Sequence, residues 1–463
     1  MEKQKKSLFG PMDLTKGTCW KTILIFSLPV ILSYLLQQVY SISDAAIVGQ
    51  TLTAQEVAGV NDTTSLVFIF LQFAFGVSAG FCVVTSCQVG ARNQAGVRRS
   101  LATQIILSAV LTVLLTALAL ALLNPMLAWI NVTPDNAEVY RAAYTYCFII
   151  FAGIGAQLFY NFICAFLRSM GDSLTPLLFL LFSTVLNVGL DLLFIVTFRM
   201  GVMGASVATV AAQLISGLLC LILIIRKYPI LKLSAADLLP RRAYLQKLLS
   251  MGIPMGLQFS ITAIGGTVLQ TAVNELGTAS MAAMTAGNKI SLLFDCPLSA
   301  IGTAMATFAG QNLGAHRLDR VHKGFRVCML IGGIYCIAIF ALIVCGGSPL
   351  SGIFLENPSE EIISMCEKFL LYNSSLYFLL LMVFLLRMTL QGLGYSFIVV
   401  LAGVLEMVAR GGIALGLVPQ LGFDAVCLAN PAAWLFADVF LLPTYLIGVH
   451  RLGKQEKAGK LNV

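Results

Sequence analysis

Two groups of ionisable side chains lie inside otherwise apolar stretches of this sequence, and the first group is in its N-terminal half. Asn187 and Asp191 are four residues apart, so they share a face if their stretch is helical, and Asp44 lies in an earlier apolar stretch. No Lys or Arg interrupts the apolar stretches of this half to neutralise the two acids. Buried carboxylates without a cationic partner hold a proton more readily and can cycle between protonated and ionised forms. The pattern therefore predicts a proton-binding site.

The same side chains also suit a metal ion. Carboxylate and amide oxygens are the donors that a hard cation such as Na⁺ prefers, so the three residues could hold Na⁺ instead of a proton. Gln37 and Tyr40 precede Asp44 by seven and four residues on the same helix face, and Thr209 adds a hydroxyl in a later apolar stretch. The alternative for this group is a structural role, as a satisfied polar contact between helices.

The second group is in the C-terminal half and contains basic as well as acidic side chains. Glu406 and Arg410 are four residues apart, which is the spacing of an ion pair within one helix. Lys289 and Asp295 are six apart, roughly 120° around a helix, so each is expected to bond to a neighbouring helix. We count Lys289 and Arg410 as the only bases inside the apolar stretches of this half. Pairing is how a membrane helix tolerates charge, so a structural role is favoured here.

The elements that must position these residues are membrane-spanning helices. The chain has 463 residues, of which 58% are hydrophobic and 11% are charged, whereas a soluble domain carries about 25% charged residues. Apolar runs of about 20 residues recur along the whole chain, and a segment that crosses a bilayer must be helical. We predict twelve spans, near residues 22–49, 57–87, 100–123, 140–167, 174–198, 203–225, 248–274, 280–310, 325–346, 364–391, 396–418 and 425–448.

The two halves of the sequence repeat each other. Ser27-Leu28-Pro29 recurs as Gly252-Ile253-Pro254, and Gln88-Val89-Gly90-Ala91-Arg92 recurs as Gln311-Asn312-Leu313-Gly314-Ala315. Six spans per half is an even number, so the halves enter the membrane in the same direction and form a parallel repeat. In this alignment Asp44 corresponds to Leu269 and Asp191 to Ala414. The halves are therefore expected to share a fold but not their charge chemistry, which assigns ion coupling to the first half.

The distribution of basic residues predicts the orientation of the chain. Lys and Arg concentrate in alternate loops and at both ends, whereas the remaining loops hold only Arg141, Arg199 and Lys368. This is the positive-inside pattern, so we expect a multi-pass protein of the cell membrane with both termini in the cytoplasm. Because the charges are split among short loops, a nucleic-acid partner is not expected. The predicted divisions are a cytoplasmic N-terminal segment 1–21, an N-lobe 22–225, a linker 226–247 that contains Pro229 and Pro240, a C-lobe 248–449 and a basic cytoplasmic tail 450–463.

At these positions the sequence resembles the multidrug and toxic compound extrusion (MATE) family, and within it the prokaryotic DinF-like branch. The resemblance covers nearly the whole chain. It is carried by Leu36-Gln37-Gln38-Val39-Tyr40 before Asp44, Arg168-Ser169-Met170-Gly171-Asp172-Ser173, the Asn187/Asp191 pair, Gln311-Asn312-Leu313-Gly314-Ala315 and Ala429-Asn430-Pro431-Ala432-Ala433-Trp434. It implies two six-helix lobes arranged as a V, and antiport of H⁺ or Na⁺ against organic compounds that are often cationic.

The resemblance also implies roles for individual residues. Asp44, Asn187, Asp191, Thr209 and Tyr146 match the family's cation-coupling positions, although Tyr144 lies close to Tyr146. Pro29 matches the family's kink in the first span, and we expect it to act as a hinge. The polar residues assigned to the substrate pathway are Gln37, Tyr40, Gln157 and Asn161.

Together these observations predict a secondary antiporter that exports amphipathic, cationic organic compounds by alternating access. We expect a monomer in the lipid bilayer, without a cofactor or a resident metal, that uses H⁺ or Na⁺ as its coupling ion. The first alternative is a flippase for lipid-linked precursors, which would need a basic cleft. The second is a membrane enzyme, which is disfavoured because His316, His322 and His450 fall outside the spans.

Overall fold

The computed structural model describes residues 11–228, 233, 237–239, 241–352 and 359–459, and that part of the chain is α-helical without a strand. The predicted all-α membrane fold is confirmed. Pro229, Pro240 and part of the predicted linker and tail lie outside the described residues. The helices are α1 (Cys19–Thr51), α2 (Ala54–Gly90), α3 (Gln94–Ala121), α4 (Leu123–Trp129), α5 (Ala137–Ala152), α6 (Ile154–Ser169), α7 (Leu174–Asp191), α8 (Val202–Lys227), α9 (Arg242–Glu275), α10 (Thr278–Gly314), α11 (Leu318–Gly352), α12 (Glu360–Ser375), α13 (Tyr377–Gly392), α14 (Ser396–Gly416), α15 (Val418–Leu421) and α16 (Phe423–Lys457).

Two of the twelve predicted spans are bent, which the sequence patterns did not predict. Within the described residues, ten helices are long and apolar enough to cross a membrane as single spans. The fourth span consists of α5 and α6, which meet at 47°, and the tenth consists of α12 and α13, which meet at 51°. A Cβ atom at Gly153, between α5 and α6, would collide with the Val210 side chain on α8. The close approach of α8 therefore requires glycine at this bend.

The described chain packs as two compact units whose boundaries cut through α1 and α9. One unit contains Leu35–Gly256, and the other contains Met12–Tyr34 together with Leu257–Val463. The predicted lobes 22–225 and 248–449 stay a prediction of membrane topology. By packing, each unit takes in the first part of the helix that begins the other half of the repeat.

In the first unit, the start of α9 packs tightly against α2. A Cβ atom on Gly80 would lie 2.7 Å from Cα of Gly252. Phe81 on α2 and Met251 on α9 belong to the same buried apolar cluster. Small residues at a helix crossing let two backbones approach closely, which is how membrane helices gain contact area without a hydrophobic driving force.

In the second unit, the segment before α1 is held by the turn between α10 and α11. The Arg320 guanidinium donates hydrogen bonds to the carbonyl oxygens of Leu14, Lys16 and Gly17 at 3.2, 3.1 and 2.7 Å. The Leu14 amide donates to Oε1 of Gln311 at 3.1 Å. Arg320 on α11 and Gln311 of the repeated motif therefore satisfy backbone groups that would otherwise be buried without partners.

Asp172 anchors the beginning of α7, the helix that carries Asn187 and Asp191. Its side chain is 1% exposed. Its Oδ1 accepts from the Thr175 amide at 3.0 Å, which caps the helix. Its Oδ2 accepts from Lys227 Nζ at 2.7 Å and from the Tyr228 hydroxyl at 2.9 Å. This carboxylate ties the start of α7 to the end of α8, so it sets the relative position of the two helices.

We predict that Asp172 makes stability depend on pH in the acid range. Burial by itself would raise the pKa of this carboxyl, but the hydrogen bonds from Lys227 and Thr175 outweigh burial and hold the pKa below its ordinary value of 3.8. A depressed pKa means that the stabilisation is present above pH 3.8 and is lost as the pH falls through the folded-state value. Thermal unfolding midpoints of Asp172→Asn should be lower than those of wild type at neutral pH, and the difference should shrink on acidification. Asp135→Asn, which changes an exposed loop acid, is the control and should track wild type. A constant difference down to pH 3 would contradict the prediction.

Candidate functional site

The predicted polar residues of the first half come together where α1, α5, α7 and α8 meet within the first unit. Asn187 and Asp191 on α7 are both 0% exposed. The Asp44 and Asp191 carboxyl groups lie close enough to influence each other electrostatically. Tyr40, one turn before Asp44, lies beside the Thr209 hydroxyl on α8. The structure thus brings together at one site five side chains from three helices that are far apart in the sequence.

Apolar packing one helical turn away brings these side chains together. Val48, Ile195 and Ala205 form a buried cluster that joins α1, the end of the fifth span and α8. Val48 and Ile195 each lie four residues after an aspartate of the pair, so they occupy the same helix faces one turn further on. Burial of these aliphatic groups presses the helices together at this level and leaves the two carboxyl groups facing each other.

The contact between Asp44 and Asp191 depends on a proton. Ionised carboxylates are acceptors only, so two of them can hydrogen bond to each other only when one is protonated. Neither carboxylate forms an ion pair with a Lys or Arg among the described residues. Two ionised carboxylates in contact repel strongly, so such a pair shares one proton. A proton shared by the two carboxyl groups would remove this repulsion.

Several buried polar atoms of this site have no hydrogen-bond partner within the described part of the chain. They are Oδ1 of Asp44, both side-chain polar atoms of Asn187 and both carboxyl oxygens of Asp191. Buried polar atoms in proteins are nearly always paired with protein or with ordered water, so an unpaired cluster indicates a site for a small ligand. Carboxylate and amide oxygens are also the donors that Na⁺ takes. The donor set fits a proton, a water molecule or Na⁺.

The backbone changes geometry directly after Asp191, which the sequence did not predict. Residues Leu192–Thr197 form a turn of π-helix. Single π-helical turns inside spans are rare and occur frequently at functional sites. Gly204 on α8 lies against this turn, because a Cβ atom there would be 3.1 Å from the Phe194 backbone. The turn gives the helix that carries Asp191 a segment of irregular backbone hydrogen bonding beside the carboxyl pair.

The structure distinguishes the two tyrosines that the sequence left open. Tyr146 on α5 lies within the electrostatic reach of Asp44 and Asp191. Tyr144 instead stacks on Phe148, with 6.0 Å between ring centroids. Tyr146 is therefore the tyrosine that faces the carboxyl pair.

The other predicted residues of this half are less closely tied to the site. Gln157 and Asn161 are half-buried on α6, and Gln37 is exposed on α1. Their roles in a substrate pathway stay predictions. Pro29 is buried inside α1, which continues through it from Cys19 to Thr51, and the Ser33 hydroxyl donates to the Pro29 carbonyl at 2.8 Å. Its role as a hinge also stays a prediction.

The second half contains a buried charge network that is larger than the sequence predicted. The expected pair of Glu406 and Arg410 is confirmed, with 3.8 Å between Oε2 and Nη1, and Arg410 Nε also donates to Oδ1 of Asn430 at 3.2 Å. Arg387 on α13 forms a second ion pair with Glu406 and is only 5% exposed. Asp438 on α16 is buried beside Arg387.

The statement that Lys289 and Arg410 are the only bases inside these spans was therefore wrong. Arg387 lies within α13, between Leu386 and Met388, five residues before that helix ends. Its signal was present in the sequence, as the one charged residue of a long apolar run. Lys289 lies on α10 and has a bonding partner, and Asp295 on the same helix lies next to Tyr377 of α13.

We predict that Arg387 and Glu406 depend on each other for stability. Removing one partner of a buried ion pair leaves an uncompensated charge and costs about 3–5 kcal/mol, whereas replacing both with apolar groups of similar size is often neutral. Arg387→Met should lower the thermal unfolding midpoint in detergent strongly, and Arg387→Met with Glu406→Met should recover part of the loss. Arg410 remains to be neutralised in the double variant, so full recovery is not expected. Additive losses in the double variant would contradict the coupling.

The fold and the sequence both match known transporters. A family model described as MatE matches residues 29–193 and 254–411. The chain is 28% identical over 79% of its length to the probable multidrug resistance protein YpnP of Bacillus subtilis (strain 168), of which it covers 80%. It is 22% identical over 73% of its length to an FAD transporter of Shewanella oneidensis (strain ATCC 700550 / JCM 31522 / CIP 106686 / LMG 19005 / NCIMB 14063 / MR-1), of which it covers 75%. The chain also matches a solved structure of a multidrug resistance MATE family transporter in its outward-facing conformation. The match covers 98% of this chain and 100% of that protein's chain, with a TM-score of 0.88 and 22% identity.

Proposed function

Because the chain belongs to the MatE family of membrane transporters, we propose that it exports amphipathic, cationic organic compounds by secondary antiport with H⁺. The observation that carries this proposal is the contact between the Asp44 and Asp191 carboxyl groups without a cationic partner. The family consists of transporters, so the alternative of a membrane enzyme is set aside. The chain works in the cell membrane, with both termini in the cytoplasm.

In this mechanism the proton decides how closely α1 and α7 pack at the level of the carboxyl pair. With one proton bound, the two groups hydrogen bond and the packed arrangement is stable. When the proton leaves, two negative charges face each other in a medium of low dielectric constant, and the repulsion favours a state in which the helices separate. The π-helical turn after Asp191 and Pro29 in α1 are the places where the backbone can change with least loss of hydrogen bonding.

Alternating access couples this change to export. The site takes up a proton from the outer side as the organic compound is released there. The deprotonated state then accepts a new molecule from the cytoplasm. A cationic compound suits the deprotonated site, because it supplies the positive charge that the two carboxylates lack. Proton and substrate therefore compete for one negative site, and that competition is what antiport requires.

The driving force is sufficient for export. One charge that crosses a membrane potential of 100 mV releases about 2.3 kcal/mol. A tenfold concentration step costs about 1.4 kcal/mol. One proton per molecule can therefore maintain a gradient well above tenfold.

Na⁺ is the second candidate for the coupling ion, and the two ions require different states of the same residues. Na⁺ would replace the shared proton and would bind the ionised carboxylates together with Oδ1 of Asn187. Either ion would relieve the repulsion between the two carboxylates, so imposing the pH and Na⁺ gradients separately distinguishes them. Asn187→Ala is expected to impair Na⁺-driven transport more than H⁺-driven transport.

We predict that Asp44→Asn abolishes gradient-driven export while the protein still folds. The amide can hydrogen bond to Asp191 but cannot exchange a proton, so the packed state no longer responds to the gradient. The measurement is efflux of a fluorescent cationic dye from proteoliposomes, with pH and Na⁺ gradients imposed separately. Asp135→Asn is the matched control and should transport like wild type. Undiminished efflux by Asp44→Asn would refute the assignment of the site.

Two other cargoes are tested in the same vesicles. One relative is named as an FAD transporter, so FAD is included beside the dye. A flippase for lipid-linked precursors has no support among the relatives. Such a protein would need a basic cleft, and Arg387 is a third basic residue in the spans of the second half, after Lys289 and Arg410. That guanidinium is bound to Glu406, which leaves little basic surface for a diphosphate. Movement of a labelled lipid-linked precursor without any dye transport would favour the flippase.

A further inference from the structure

An apolar groove runs along the first unit between α3, α6 and α8. Its volume is about 760 Å³. Leu101 and Thr112 mark its extent on α3, and Gly155 and Phe166 mark it on α6. Nothing in the transport mechanism above uses this groove, and none of the predicted site residues lines it. Its lining is almost entirely aliphatic and aromatic.

The groove has the length of one membrane leaflet. Eleven residues separate its ends on α3 and again on α6, which is about 16 Å at 1.5 Å per residue. The hydrocarbon core of a bilayer is about 30 Å thick, so one leaflet accounts for about 15 Å. The groove therefore matches the depth over which an acyl chain extends, whereas a compact ligand would leave much of it empty.

The groove opens on the outer surface of the helices rather than into a closed core. Ile105 on α3 and Ile225 on α8 both line it, and they are 41% and 55% exposed. Exposed aliphatic side chains on spanning helices face hydrocarbon. An apolar cavity does not hold water stably, so the lipid tails at this depth are the available filling.

Two arginines, Arg98 and Arg226, lie next to residues that line one end of the groove. α3 begins at this end, and Arg98 lies three residues before Leu101 on the same helix face. Arg226, next to Ile225, is exposed at the end of α8. Arg98 is paired with Asp237 at 3.5 Å, yet its side chain stays 32% exposed. Basic side chains at the mouth of a pocket between spanning helices are the pattern that binds anionic lipid head groups.

We propose that this groove is a binding site for an anionic phospholipid. One acyl chain lies between α3, α6 and α8, and the phosphate lies at the end marked by Arg98 and Arg226. In the proposed topology this end is cytoplasmic, so the lipid belongs to the inner leaflet. Because the acyl chain packs on α8, the helix that carries Thr209, the bound lipid stabilises the first unit without being transported.

The test uses tryptophan fluorescence and lipids that carry bromine on the acyl chain, which quenches tryptophan on contact. Trp20, Trp129 and Trp434 are replaced by Phe, and Phe159→Trp places a single reporter on the wall of the groove. Leu219→Trp in the same background is the matched control, since this α8 side chain is 40% exposed at a similar depth but lies outside the groove. Both proteins are reconstituted in phosphatidylcholine that contains a minor fraction of brominated phosphatidylglycerol.

The groove reporter should report an enrichment of phosphatidylglycerol of roughly tenfold over the bulk bilayer, and the control reporter should report none. Brominated phosphatidylcholine should not show this preference. Arg226→Gln should reduce the preference at the groove reporter, and Ala109→Phe, which fills the groove, should bring quenching down to the control level. Both variants leave Asp44 and Asp191 unchanged, so dye export should continue.

Three results would overturn the proposal. Equal quenching of both reporters by both lipids would show that the groove does not select an anionic lipid. A groove reporter that no lipid quenches would show that no acyl chain enters. Loss of the quenching on addition of the transported dye would show that the groove holds the dye instead of a resident lipid.

Discussion

The structure depends on one constraint, which is that charge inside a membrane must be neutralised where it lies. The two units meet this constraint in different ways. In the first, Asp44 and Asp191 face each other without a base, so only a bound ion can neutralise them. In the second, Arg387 and Arg410 surround Glu406 and carry the compensating charge within the protein. A site that is neutralised by a cation bound from solution responds to the concentration of that ion, whereas a site that is neutralised by arginine side chains does not. Under the proposed function, the first is an exchangeable site and the second a permanent one.

The exchangeable site is held in place by groups outside it. The Asp172 carboxylate fixes the beginning of α7 to the end of α8 through Lys227 and Tyr228. The cluster of Val48, Ile195 and Ala205 fixes the same helices one turn beyond the carboxyl pair. Between these two levels the helices carry the unpaired polar atoms, and the π-helical turn follows immediately after Asp191. The carboxyl pair is therefore held in position by contacts on both sides of it that involve neither Asp44 nor Asp191.

The sequence predicted the fold and most of the site, for physical reasons that also explain its omissions. Length and hydropathy determine where a helix can cross a bilayer, so all twelve spans were found. Charge inside a span is rare enough that Asp44 and Asp191 were found as well. The bend at Gly153 was missed because it depends on the approach of a neighbouring helix, where contact with Val210 excludes a side chain. The bend between α12 and α13 was also missed. The π-helical turn leaves no pattern in residue type. Arg387 was missed although the sequence contains its signal, a single charged residue within a long apolar run.

The repeat shows that the fold does not require the carboxyl pair. The positions that correspond to Asp44 and Asp191 in the second half are Leu269 and Ala414, and both are buried in one apolar cluster of the second unit. That cluster also contains Val273 and Val418, the counterparts of Val48 and Ile195. The same helix packing is therefore achieved once with aliphatic side chains at the central contact and once with two acids. Because the aliphatic version satisfies the fold, packing does not account for the acids, which destabilise the first unit unless an ion binds. The proposed binding of a coupling ion accounts for their position.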